Sequence, residues 1–134
     1  MFTDLTHVTI LVDDQDEALD YYTNTLGFEP RDDSTFGEGT RWVTVAPPNA
    51  DRQLVLVAAD TPEKQERVGS QVADHVAVVV ETDDCVAEYE RLRENGVEFH
   101  GEPEAAPWGV SAVFEDLYGN VFNLVEPAEH GEPA

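Results

Sequence analysis

Sixteen residues of this chain are written twice. His7-Val8-Thr9-Ile10-Leu11-Val12-Asp13-Asp14-Gln15-Asp16-Glu17-Ala18-Leu19-Asp20-Tyr21-Tyr22 returns as His75-Val76-Ala77-Val78-Val79-Val80-Glu81-Thr82-Asp83-Asp84-Cys85-Val86-Ala87-Glu88-Tyr89-Glu90, at a constant offset of 68. At that offset His7 meets His75, Asp16 meets Asp84 and Tyr21 meets Tyr89. One added residue then sets Gly27 on Gly96, and the offset of 68 is back where Leu54-Val55-Leu56-Val57 falls on Phe122-Asn123-Leu124-Val125. A unit this long that occurs only twice is no solenoid repeat. It reads as a duplicated half-domain, so chemistry should be sought at equivalent points of the two copies.

Each copy has the same grammar. Leu5–Val12 is rich in β-branched residues and reads as a strand, with Val8, Ile10 and Val12 on one face and His7, Thr9 and Leu11 on the other. Asp14 followed by Glu17 resembles a helix N-cap, Ala18, Tyr21, Tyr22 and Leu26 recur at helical spacing, and Gly27 stops the helix. Strands are expected over 28–36, 41–46 and 52–58, with a Gly-Glu-Gly turn at 37–39 and a Pro-Pro loop at 47–51. Residues 60–74 read as the linker, with one short helix around 63–67. The second copy should run as a strand over 72–80, a helix capped by Thr82 or Asp83 whose inner face is Val86, Tyr89 and Leu92, and strands over 97–100, 110–115 and 121–125. Each half is thus βαβββ. The expected organisation is one domain over 1–126 (module one 1–58, linker 59–71, module two 72–126) and a flexible tail over 127–134.

Charge limits the partners. With 29 acidic and 7 basic residues among 134, and Lys64 the only lysine, the net charge is −22. Such a surface repels nucleic acid and anionic membranes. The regular apolar periodicity argues against disorder, so the acidity points to adaptation to a salt-rich cytoplasm, as in halophilic microbes. No apolar run would span a bilayer and no secretory signal opens the chain, which gives a cytoplasmic expectation. A single cysteine, Cys85, excludes an internal disulfide and argues against a Cys-based metal site. There is no glycine-rich phosphate loop, nucleophile elbow or HExxH, so phosphate cofactors are not expected.

The doubled βαβββ unit with an early His in each copy resembles the vicinal oxygen chelate superfamily, which includes glyoxalase I, extradiol dioxygenases and bleomycin-binding proteins. Two segments carry the likeness: Tyr21-Tyr22-Thr23-Asn24-Thr25-Leu26-Gly27-Phe28, similar to the family's FY…LGF helix end, and Asp116-Leu117-Tyr118-Gly119-Asn120, similar to its DPDGN turn. The resemblance implies an α+β fold in which two tandem βαβββ modules make a curved mixed sheet around a ligand cavity, helices outside, and a homodimer. In metal-binding members a His from the first strand and a carboxylate from the last strand of each half hold a divalent ion (Zn, Ni, Fe or Mn). Carried over, the histidines are His7 and His75, and the carboxylate slots fall on Val55 and Asn123. Two imidazoles, a valine and an amide make a weak set for such an ion, which wants three or four ligands with carboxylate among them. Glu126 is near, but alternation turns it away from Asn123, toward the helix side or solvent.

Arg41, Phe36, Trp108, Phe114, Tyr118 and Asn123 are the candidate ligand-lining residues, Arg41 as an anchor for an anionic group. Core packing is the plainer account for most of the aromatics. His100 and His130 read as surface residues. Three functions stay open: a protein binding a small organic molecule without a stable metal; a metal-dependent lyase, isomerase or dioxygenase using His7 and His75; and an interaction domain, the weakest of the three because it leaves the apparent pocket unused.

Overall fold

The computed structural model describes residues 1–128 and divides the chain into two compact units, Met1–Gln71 and Val72 onward. In the first unit β1 (His7–Val12) leads to α1 (Gln15–Asp20), which continues through one π turn over Tyr21–Thr25, and then to β2 (Glu29–Phe36), β3 (Thr40–Ala46) and β4 (Gln53–Ala58). The sheet order is β1-β4-β3-β2, parallel between β1 and β4 and antiparallel elsewhere. A short α2 (Pro62–Arg67) follows, capped by Thr61 and packed against β1.

The second unit holds β5 (Val76–Glu81), α3 (Cys85–Glu94), β6 (Glu98–Phe99), β7 (Glu104–Ala106), β8 (Gly109–Glu115) and β9 (Val121–Pro127). Its order is β5-β9-β8-β6, with β7 also on β8 and only the β5–β9 pair parallel. The fold is therefore α+β, with one mixed sheet of four strands and one of five. β7 lies between Pro103 and Pro107, outside the strands expected from the sequence. Among the described residues no helix is long and apolar enough to cross a membrane.

The helices sit where the apolar faces demand. Ala18, Tyr22 and Leu26 are buried beside Ile10, Val12, Val43, Val45, Leu54 and Leu56, and Tyr22 meets Phe28 edge-on at 5.5 Å. In the second unit Cys85, Tyr89 and Leu92 are buried with Ala112, Phe114, Phe122 and Leu124. Val86, expected on that inner face, is exposed and Cys85 takes its place. Cys85, Tyr89 and Leu92 follow i, i+4, i+7 spacing, which sets Val86 to one side of their stripe. Asp84, not Thr82 or Asp83, starts the helix: its side chain accepts from the Ala87 N–H at 3.1 Å, while the Thr82 hydroxyl accepts from the Asp84 N–H. Asp14 does cap α1, accepting from the Glu17 N–H at 2.9 Å.

Strand pairing corrects the offset of 68 in the first strand of the second copy. His7 lies opposite Gln53 and Val8 opposite Leu54, but Val121 faces Val76 and Phe122 faces Val78. The pairings make Val76 the position corresponding to His7, with His75 ahead of the strand, and a bulge between Val76 and Val78 widens the shift to two residues from Val78 onward. Downstream, the first helix recovers the register through its π turn, where the Leu26 N–H donates to the Tyr21 carbonyl at 3.0 Å.

The outer edge of β1 is closed by a side chain. The Gln71 amide donates to the Thr9 carbonyl at 3.1 Å and its oxygen accepts from the Leu11 N–H. One glutamine thus supplies the donor and acceptor of a missing strand, which blunts an edge otherwise open to another chain. Of the tail expected over 127–134, Pro127 ends β9 and the Ala128 N–H donates to the Trp108 carbonyl at 2.7 Å; the remainder, with His130, lies outside the described residues.

Candidate functional site

Each sheet buries one face under its helix, and alternation sends every second side chain to the other face. On β4, Leu54 and Leu56 turn inward to α1, which leaves Gln53, Val55 and Val57 on the open face. Thr9 pairs with Val55 and Val55 with Thr44, so these three share that face in one row. The rows on either side carry His7 and Trp42, whose rings meet with centroids 5.5 Å apart at 57°. The ring pair therefore arches across the Thr9–Val55–Thr44 row, which accounts for Val55 and Thr44 being buried on a face with no helix. The His7 Nδ1 lies 2.8 Å from the Thr6 hydroxyl.

On the second sheet Phe122 and Leu124 face α3, so Asn123 stands on the open face between Val79 and Val113. Glu115 lies one row away, opposite Val121, and its Oε2 is 2.7 Å from the His100 Nε2. Glu126 turns the other way, as its parity requires: its Oε1 accepts from the Cys85 N–H at 2.9 Å, at the start of α3.

The remaining candidates fall in different places. Phe36 ends β2 at the hairpin, and Trp108 sits just before β8; both are exposed. Tyr118 is half-buried in the 116–120 turn, where its N–H donates to the Asp116 carboxylate. Phe114 belongs to the core, stacked on Phe122 at 5.1 Å and tilted against Phe99, because its parity on β8 turns it toward α3. His75 is exposed ahead of β5, its N–H bonded to the Val72 carbonyl.

Arg41 is a clamp rather than a free cation. Its Nε and Nη2 donate to the two oxygens of Asp33, each at 2.9 Å, and Nη1 pairs with Asp16 at 2.9 Å. Three of its nitrogens are thus committed to carboxylates, which leaves little charge for an anionic ligand. The hydrogen bonds from Arg41 hold the Asp33 carboxyl below its usual range. A depressed folded value means the pair contributes stability above the ordinary carboxylate pKa and loses it as pH falls through the folded one. In an Arg41→Ala chain, carboxyl NMR should show the Asp33 titration moved up to the ordinary aspartate range. An unmoved Asp33 titration would assign its depression to something other than the clamp.

A divalent ion of the kind the resemblance implies does not fit these residues. Val55 offers no donor, Asn123 only a neutral amide, and His75 lies outside the strand that should present it. Among the described residues no three His, Cys, Asp or Glu side chains come together as such an ion would need.

The glyoxalase/bleomycin resistance protein/dioxygenase superfamily model matches residues 4–124, nearly the whole of both modules. The chain belongs to that superfamily. Among solved structures, UcmS2 is 40% identical with a TM-score of 0.81, over 93% of this chain and 98% of that one. TnmS3, an antibiotic binding protein from Streptomyces sp. CB03234, is 37% identical with a TM-score of 0.79, over 95% of this chain and 98% of its own. A protein of Shewanella frigidimarina (strain NCIMB 400) is 37% identical over 91% of this chain and 92% of its own length.

Gln53 and Trp42 were not among the candidate ligand-lining residues, and His100 was read only as a surface residue. For Gln53 a signal existed: it shares the parity of Val55 on β4. Trp42 was reachable only as an alternative to Arg41, and nothing local announces the His100–Glu115 pairing.

Proposed function

We propose that this superfamily member is a binding protein that holds a small, largely apolar aromatic molecule against the open face of its first sheet, without a catalytic metal. One observation carries the reading: the His7 ring is committed to Trp42, across a row whose carboxylate slot is a buried valine. A histidine used this way, with a tryptophan face beside it, suits a flat ring better than an ion. The likeness to an antibiotic binding protein supports a small-molecule ligand, and the exposed Phe36 supplies further aromatic surface in the same unit. The competing account, a lyase, isomerase or dioxygenase using His7 and His75, needs a ligand set that the donors do not make.

The test compares protein purified without a His-tag with its His7→Ala/His75→Ala variant. Metal well below one ion per chain in both is expected, together with quenching of Trp42 fluorescence by naphthalene derivatives that is lost in Trp42→Phe. One ion per chain that disappears in the double variant would replace binding with metalloenzyme chemistry.

A further inference from the structure

The β3–β4 ladder is short. Its pairs are Thr44 with Val55 and Val45 with Leu54, although β3 begins at Thr40 and β4 runs on to Ala58. Continuing that register would set Val43 opposite Leu56 and Trp42 opposite Val57, and neither pair forms. At this end β3 is bonded to β2 alone, as far as Thr40, and β4 to β1 alone, as far as Ala58. The first sheet is therefore split at Trp42.

One side chain spans the split. The Gln15 Nε2 donates to the Leu56 carbonyl at 2.8 Å and to the Arg41 carbonyl at 3.2 Å. Alternation explains why Leu56 needs it. The Gln53 and Ala59 N–H groups donate to the Thr6 and Val12 carbonyls on the β1 side. Leu56, of opposite parity, turns its carbonyl toward β3, where the regular donor would have been the Val43 N–H. Without Gln15 two part-buried carbonyls would lose their donor. Arg41 is the residue before Trp42, so the same amide fixes the backbone from which the indole reaches His7. The next residue of α1 adds a second tie: Asp16, with 81% of its side chain exposed, pairs with the Arg41 guanidinium. Salt screens an exposed ion pair, whereas a part-buried neutral amide keeps its bonds.

We infer that Gln15 is a positioning residue for the first-sheet site: standing in for the absent β3–β4 bonds, it sets the Trp42 ring against His7. Its use in binding rests on the reading above, but the positioning itself can be measured without a ligand.

The full chain is labelled with 5-fluorotryptophan, and the fluorine resonance absent from Trp42→Phe belongs to Trp42. In molar potassium chloride its shift is compared with that in His7→Ala, where the imidazole neighbour is gone. Gln15→Met, close in shape and without a donor, should move the resonance at least halfway to the His7→Ala position and weaken 2-naphthol binding about fivefold or more. Gln15→Ala, short enough to let water reach both carbonyls, should move it too, and serves where the Met variant does not fold. Gln15→Lys restores an N–H donor and should return the resonance toward its unaltered position. Asp16→Asn should leave it in place. A resonance unmoved in the folded Gln15 variants, even with a lowered melting midpoint, would reduce Gln15 to a brace and overturn the inference. So would an Asp16→Asn shift as large as that of Gln15→Met, since the ion pair would then do the positioning. If 2-naphthol does not bind the unaltered chain the binding reading falls, and the fluorine comparison still decides the role of Gln15.

Discussion

Dialysed from molar potassium chloride into about 50 mM salt, this chain should lose on the order of 10 °C of thermal midpoint, and unfold outright near physiological temperature. The cause is in the placement of the few cations. Each is already committed: Arg31 to Glu29 and the carbonyls of 47, 48 and 50, Arg41 to Asp33 and Asp16, Arg52 to Asp4, Lys64 to Asp60, Arg67 to Glu63, Arg91 to Glu88, and Arg93 over the Tyr89 ring. With 29 acids against 7 bases, most carboxylates have no basic side chain left to meet, and some crowd each other. Glu98 sits directly opposite Glu115, whose Oε2 lies 2.7 Å from the His100 Nε2. Exposed pairs of this sort add little apiece, well under the repulsion summed over so many like charges. Dissolved cations are the remaining remedy, and at molar salt the screening length falls to about 3 Å. Circular dichroism melts across a potassium chloride series would show the rise. A midpoint that shifts by less than about 2 °C would end the salt-adaptation reading, since screening could not then be what holds the fold.

The repeat made the architecture legible because its cues are local: β-branched runs, acidic caps, and glycines at helix ends. Alternation also read Glu126 correctly, turning it from Asn123 to the Cys85 N–H. What identity at a fixed offset could not show was backbone accommodation. The bulge in β5 and the π turn after α1 each insert a residue without changing residue chemistry, and the β5–β9 pairing gives Val76 the position that His7 holds, leaving His75 ahead of the strand. Thr82, Asp83 and Asp84 are all good capping residues, so composition alone could not choose among them; Asp84 is the one with the extended backbone at the helix start. Arg41 failed to read as a clamp for another reason. Its partners Asp33 and Asp16 reach it only once β2 pairs with β3 and α1 has docked, and neither spacing has a signature in the sequence.

The turn between β8 and β9 is where a single substitution should be felt most. Asp116 and Asn120 are both buried there. One Asp116 oxygen accepts from the Tyr118 N–H at 2.9 Å and the Asn120 N–H at 2.8 Å, and the other accepts from the Asn120 side-chain amide at 2.9 Å. Gly119 takes a positive φ of 95 to let the chain close, and the Asp116 N–H donates to the Asn120 carbonyl at 2.9 Å. Leu117, where the family pattern has Pro, is partly exposed and makes none of these bonds. Asp116→Ala leaves three donors without their acceptor and should cost roughly 3–5 kcal/mol, or more than about 10 °C in midpoint. Asp116→Asn is more informative. The new amide oxygen can still serve the two backbone N–H groups, but its nitrogen would confront the Asn120 nitrogen, donor against donor. Adding Asn120→Asp restores a donor–acceptor pair with the roles exchanged, so the double variant should be more stable than Asp116→Asn alone by about 1 kcal/mol or more. Denaturant melts of the four chains measure this as a coupling energy. Additive losses would mean that the two side chains act separately, and that the turn is held by its backbone bonds and by Gly119 instead.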